Sequence, residues 1–436
     1  WFADEKWLVQ KGNLSLGDST RNVTLWSFYL PKNAATWKNS IEYLHDSGYW
    51  YSRYYGDYPY NHITAVDGDL SAGGGMEYPN ITVIASMPSK QMLEMVIMHE
   101  VGHNWFPMVV NSDEGKWSWL DEGITSFLEC QTHKQWEQGA LHSACDPHMI
   151  SDYMGGGDVV PIMSDADSII HHYSNSYSKV ASGLTILRES IMGREQFLLA
   201  LKDYANSWMF KRPTPSDFFR TFQKYAAEDL SWFWKGWFYS TDHVDYELTK
   251  VVELKLRDFS EKSEAEYYRS KIRDRLTLAG VRDEGISTYV SKHRELEDIY
   301  SGLSKDFLSK RKKKELSDKR SSLGVVETDL VKDDGFYYEV TVTNNGSLSL
   351  PVRLRLYLKA GGYRDVIYPA SVWQRSSTVF KKIVVAEERL IKIVADPLLE
   401  FLIHSERTTP FRKRYKRSIC LSPSRRHDFS FEPKTS

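Results

Sequence analysis

Two histidines four residues apart, in His99-Glu100-Val101-Gly102-His103, can send both imidazoles to one point if the segment is helical. A third candidate ligand, Glu122 in Trp119-Leu120-Asp121-Glu122-Gly123, follows His103 after eighteen residues. That interval leaves room for a turn and the start of a second helix. Two imidazoles and one carboxylate make a tetrahedral zinc site whose fourth position is open to water. Glu100, between the histidines, is placed to take a proton from that water. A bare histidine pair on an amphipathic helix would be surface decoration; the distal Glu122 is what turns the pattern into hydrolytic chemistry.

Upstream lies Gly73-Gly74-Gly75-Met76-Glu77-Tyr78-Pro79. Glycines let backbone approach a ligand closely, because no Cβ intervenes. The β-branched run Ile81-Thr82-Val83-Ile84 that follows is a buried strand by its composition. Glu77 would then stand at a strand edge beside the metal, where a carboxylate can bind an ammonium group.

With these residues in view the chain resembles the aminopeptidase N (alanyl aminopeptidase) type of zinc gluzincin. The family's Gly-x-Met-Glu-Asn motif is matched by Gly74-Gly75-Met76-Glu77-Tyr78, with Tyr78 in place of Asn. His103-Asn104-Trp105-Phe106 is similar to the family's aromatic stretch, although Pro107-Met108 stands where Gly-Asn is usual. The resemblance extends over residues 1–400 and is strongest from Tyr55 to Asp245. It implies one zinc ion per chain on His99, His103 and Glu122, with Glu100 as general base. It also implies a substrate-binding strand of Gly74, Gly75, Met76 and Glu77, in which Glu77 holds the free α-amine of a peptide.

The resemblance further implies an oxyanion partner, a tyrosine before a helix start. Tyr177 in Tyr177-Ser178-Lys179-Val180-Ala181 is that residue, with Tyr173 as the competing candidate. The aromatic run Trp232–Tyr239 has helical spacing and is expected to be core rather than a ligand platform. Trp117 and Trp119 are expected to lock the helix of Glu122. Met92, Met95 and Met98 are expected in the core, and the adjacent His171-His172 are left unassigned.

At 436 residues with a net charge of −2, the chain has no global bias toward nucleic acid or anionic membrane. No apolar run approaches the ~20 residues needed to span a bilayer. Three cysteines are too few for a disulfide framework, and one must remain free. The partners implied are peptides with a free N-terminus. The Gly-Gly-Met-Glu-Tyr-Pro variant resembles exported bacterial proteins, which leans toward periplasm or cell surface. Preferred first residue and oligomeric state are not legible.

The expected fold is α+β and multidomain. Residues 1–30 are expected to be a remnant of the family's N-terminal β domain, the rest of which would precede this chain. Residues 31–248 would form a thermolysin-like, mainly helical gluzincin catalytic domain, and 249–328 a charged helical linker. Alternating residues in 329–398 imply a small β-sandwich, and 399–436 a basic, disordered tail. The competing functional expectations are a non-catalytic scaffold on the same fold, an inactive fragment, or epoxide hydrolysis as in one lipid-processing relative.

Overall fold

The computed structural model describes residues 2–17, 21–68, 70, 74–136, 145–255, 259–262, 264, 287, 289–296, 308–322, 335–401, 418–420 and 426–428. Gly73, most of the expected linker 249–328 and most of the tail 399–436 lie outside them. Among the described residues helix and sheet are mixed, an α+β arrangement.

The first sheet carries the site. Its strands are β1 (Leu8–Leu16), β2 (Arg21–Tyr29), β3 (His62–Asp67), β4 (Gly75–Tyr78) and β5 (Ile81–Ile84), in the order β1-β2-β3-β5-β4. β1 and β2 alternate between exposed and covered residues, so one face is buried. β2, β3 and β5 run parallel, and β4 pairs antiparallel with β5. Between β2 and β3 the chain crosses through helix α1 (Ser40–Tyr55). Tyr43, Leu44, Ser47, Gly48, Tyr51 and Ser52 recur at three- and four-residue steps on its buried face. Within residues 1–30, expected as a remnant of an N-terminal β domain, β1 and β2 belong to the same sheet as Glu77. A parallel partner some thirty residues downstream has no local signature, which is why the strands resembled a detached edge.

Among the described residues up to 240, the longer α-helices that follow are α2 (Lys90–Gly102), α3 (Glu122–Trp136), α4 (Val180–Ile186), α5 (Arg194–Trp208), α6 (Pro215–Tyr225) and α7 (Ser231–Phe238). α2 starts where the Ser89 side chain accepts the Met92 N–H, an N-cap. The Thr214–Asp217 capping box and Pro215 start α6. α7 buries Phe233, Trp234, Trp237 and Phe238, so the aromatic run is core, as its spacing implied. The methionine expectation needs correction. Met98 is fully buried, Met92 is exposed, and Met95 lines the cleft described below.

The chain then builds two four-stranded sheets. β6 (Tyr246–Lys255), β7 (Phe336–Asn344) and β10 (Val379–Ala386) form one, with β13 (Arg426–Asp428) at its edge. β8 (Val352–Leu358), β9 (Tyr363–Tyr368), β11 (Leu390–Ala395) and β12 (Ser418–Cys420) form the other. Val340, Val342, Leu354, Leu356 and Ile393 are buried in one apolar cluster drawn from both sheets. Two expectations change here. Residues 249–255 continue a strand rather than a helical linker, because β6 finds its partner β7 beyond the charged segment. The basic block at 310–314 does open an exposed helix, α8 (Lys310–Ser321). Within the tail expected to be disordered, Ser418–Cys420 and Arg426–Asp428 pair with the free edges of β11 and β6.

One covalent link bears on the site helix. Cys130 on α3 is bonded to Cys145, fifteen residues on. Closing a loop of that length removes unfolded-state entropy worth about 3 kcal/mol. The double variant Cys130→Ala/Cys145→Ala should therefore lose about that much stability in urea unfolding. Free alkylation of both thiols in the unreduced native chain would show instead that no bond exists.

Candidate active site

α2 ends at Gly102, so His103 is the residue that caps it rather than part of its last turn. The backbone still holds helical geometry there, and the His103 N–H reaches the His99 carbonyl at 3.3 Å. The two rings consequently meet. His99 Nε2 and His103 Nε2 are 3.1 Å apart. Glu122, the first residue of α3, places Oε2 at 3.2 Å from His99 Nε2 and 3.3 Å from His103 Nε2.

This triangle fits a zinc ion. Tetrahedral ligands at about 2.0–2.1 Å from the metal lie ~3.3–3.4 Å from one another. Two imidazole lone pairs cannot face each other at 3.1 Å without a cation or proton between them. The chemistry of the donor set, two nitrogens and one carboxylate with an open side toward the cleft, is that of a hydrolytic rather than a structural zinc site.

A second ring of carboxylates fixes the imidazoles. Glu129 Oε2 lies 3.0 Å from His99 Nδ1. Asp121 Oδ1 lies 2.7 Å from His103 Nδ1, and the Phe106 carbonyl lies 2.9 Å from the same nitrogen. Burial alone would pull the His99 pKa down. Its bonds to Glu122 and Glu129 outweigh that and raise it to about 10. His103 is raised as well, with Asp121 and Glu122 overcoming its burial. The pocket is thus built to hold positive charge. Sequence reasoning passed over both Asp121 and Glu129. Glu129 could have been found, since it sits seven residues after Glu122 and so on the same face of α3.

Glu100 projects from α2 into the same space. Burial raises its carboxyl to about 7, against the pull of His99 and His103. Its neighbour across the gap is Gly75 on β4. A Cβ built there would fall 2.4 Å from Glu100 Oε1, so only glycine lets the strand come this close. Glu77, two residues on, faces inward on the same edge strand, while Met76 and Tyr78 face out. Carboxylate oxygens of Glu77 and Glu100 and a nitrogen of His103 all lie within 4.8 Å of one another. A further carboxylate that the sequence did not single out, Glu114, comes equally close to Glu77 and Asp121.

Tyr177 closes the other side. It lies in a wide helical turn, Tyr173–Lys179, ahead of α4. Its ring stacks on His99 at 5.9 Å between centroids. Burial, with Glu122 beside it, pushes the phenol well above its ordinary pKa, so the hydroxyl keeps its proton. Tyr173 packs on Tyr177 at 5.1 Å but is largely exposed at the rim. His172, left unassigned from sequence, meets the edge of Tyr177 and reaches Ser118 Oγ at 3.2 Å. Gly123 allows this approach, because a Cβ there would fall 2.5 Å from the Ser176 carbonyl. Trp119 wedges behind Glu122, stacked on Phe219 and edge-on to Phe238.

His99, Glu100, His103, Glu122, Glu129 and Tyr177, with Gly74, Gly75, Met76 and Glu77, line a cleft of about 440 Å³. That volume is the size of small-molecule and short-peptide sites.

Residues 47–237 match the model described as the Peptidase family M1 domain. Probable aminopeptidase 2 of Sulfurisphaera tokodaii is 25% identical over 224 residues, 46% of this chain and 27% of that protein. Glutamyl aminopeptidase of Bos taurus is 27% identical over 175 residues, 38% of this chain and 18% of that protein. The crystal structure of Legionella pneumophila aminopeptidase A, in complex with aspartic acid, superposes with a TM-score of 0.56 at 13% identity. That superposition covers 89% of this chain and 37% of that chain, and it shows a shared fold. The matches cover only 18–37% of these relatives' lengths. The family match contains every site residue named above, and together with the aminopeptidase relatives it supports an M1 peptidase family for this segment.

The carboxylate behind His99 provides a test. Partners of this kind typically govern metal affinity by about 10–100-fold. Glu129→Gln should weaken zinc binding by at least about tenfold in a chelator competition, with the circular dichroism spectrum unchanged. Unaltered affinity would mean that Glu129 does not support the ligand.

Proposed function

We propose that this chain carries the catalytic centre of a zinc-dependent aminopeptidase of the aminopeptidase N type, acting on peptides with a free N-terminus. The observation that carries this reading is one cleft holding a zinc-fitting triangle, a buried carboxylate and an edge-strand carboxylate. Because the chain spans only part of the length of its relatives, the activity is proposed for the protein of which this centre is a part.

His99, His103 and Glu122 would hold one zinc ion, which when bound supplies a Lewis acid and lowers the pKa of water toward neutrality. Glu100 takes the proton of the attacking water on its carboxylate and returns it to the leaving nitrogen. Its burial raises the carboxyl above the ordinary range, which favours release of the proton to the leaving nitrogen. Glu77 meets the substrate α-ammonium, a charge-assisted contact that places the first peptide bond over the metal ligands. Tyr177, its hydroxyl protonated, donates a hydrogen bond to the oxygen on which negative charge develops. Gly74, just before β4, has open space where a side chain would stand, leaving room for the backbone of the substrate.

Hydrolysis of aminoacyl-fluorophores, free-amine against N-acetylated, tests the reading in one assay. Turnover confined to free-amine compounds and abolished by a zinc chelator is expected. Silence from a folded, zinc-loaded chain would count against catalysis by this segment. Glu100→Gln should bind zinc normally yet lose at least about a hundredfold in kcat. Tyr177→Phe should lower kcat and leave KM nearly unchanged, as expected of a contact made only in the transition state. A rise in KM alone would make Tyr177 a binding residue.

A further inference from the structure

Asn104 follows the second histidine and takes no part in the steps above, yet its side chain is 3% exposed and bonded on both ends. Its Nδ2 donates to the Val101 carbonyl at 3.1 Å, within the last turn of α2. Its Oδ1 accepts the backbone N–H of Asn80 at 2.9 Å and lies 3.3 Å from the Tyr58 hydroxyl. Asn80 is the turn between β4 and β5, held in the left-handed region at φ 66°. Tyr58, itself buried, also reaches the Asn80 side chain at 3.0 Å and the His62 carbonyl at 2.9 Å. One amide therefore joins the end of the metal-ligand helix to the tip of the hairpin that carries Glu77.

The geometry makes this joint consequential. β4 is four residues long, lies at the sheet edge, and is paired only with β5. A short edge strand has few contacts to resist sliding or tilting. Glu77 pairs with Thr82 in the ladder, so any tilt of the hairpin moves its carboxylate. At one end of β4, Gly75 lies so close to Glu100 that a Cβ there would overlap its carboxyl, which limits movement toward the cleft. The other end, at Asn80, is stopped by Asn104. Between these two stops stands Glu77.

We propose that Asn104 is a positioning residue: it sets the distance between Glu77 and the metal ligands, and through it the preference for a free α-amine. The inference rests on the aminopeptidase reading for the role of Glu77. It differs from that reading in locating the control of selectivity behind the cleft, in a side chain that never touches substrate.

The test uses the full chain loaded with zinc, with Asn104→Ala and the milder Tyr58→Phe as variants. Binding of leucine hydroxamate and of its N-acetyl form is measured by calorimetry, since both carry the same metal-binding group. The unmodified chain should prefer the free-amine form. Asn104→Ala should shrink that preference about tenfold through weaker free-amine binding, with the affinity for the N-acetyl form and the zinc content unchanged. Amide hydrogen exchange across residues 75–84 should speed up at least about tenfold, while α2 keeps its protection. Tyr58→Phe should move the same readouts in the same direction by less, and it decides alone if Asn104→Ala does not fold.

A preference unchanged within about twofold overturns the proposal. So does an equal loss for both hydroxamates with loss of zinc, because Asn104 would then act on His103 rather than on Glu77. Turnover separates the two readings. A chain that prefers the free-amine ligand but hydrolyses nothing loses the catalytic assignment and keeps the positioning one.

Discussion

Three donor atoms, His99 Nε2, His103 Nε2 and Glu122 Oε2, are held within 3.1–3.3 Å of one another. Such a cluster is costly in the absence of a cation, and much of the surrounding structure serves to sustain it. The histidines lie at the C-terminal end of α2, where the helix dipole is negative and favours positive charge. Glu122 lies at the N-terminal start of α3, where the dipole is positive and favours its carboxylate. The two helices thus bring opposite poles to one point. Asp121 and Glu129 extend the same logic outward by placing carboxylates beside the far nitrogens of the imidazoles.

Packing holds the helices where the electrostatics require them. The Tyr51 hydroxyl on α1 donates to the Met98 carbonyl at 2.8 Å, tying α2 to the helix behind it. Trp119, among Phe218, Phe219 and Phe238, anchors the entry to α3. Glycines mark the closest approaches. Gly75 brings an edge strand against Glu100, and Gly123 brings the turn of Tyr177 against α3. In both places a methyl group would push apart two groups that the chemistry needs together.

His99, Glu100 and His103 stand out in the sequence because their spacing is local, whereas Glu122 and Glu77 enter through the longer motif pattern and the resemblance. Four residues on a helix, or two along a strand, fix relative direction before any tertiary structure is known. Tyr177 was legible only through resemblance, since a tyrosine in a serine-rich loop carries no spacing signal. The carboxylates behind the imidazoles were missed for a different reason. Asp121 carries no spacing signal of its own, and its contact with His103 exists only once α2 and α3 cross. The pairing of β2 with its parallel neighbour β3 has no local signature, because α1 separates the two strands. The partnership of Cys130 with Cys145 could not be chosen from three cysteines. Nor could the hydrogen bonds of Asn104, which link residues from Tyr58 to Asn104 through the tertiary fold.

The second half of the chain has a kinetic consequence. β6 ends at Lys255 and its antiparallel partner β7 begins at Phe336, roughly eighty residues later. Everything that frames the cleft, from β1 to α7, precedes that gap. At synthesis rates of about 5–20 residues per second, β6 waits on the order of ten seconds for its neighbour. For that time it presents an open ladder of N–H and C=O groups to any other nascent chain. The two four-stranded sheets, dependent on contacts far apart in sequence, form late and are the part of the molecule most exposed to misassembly.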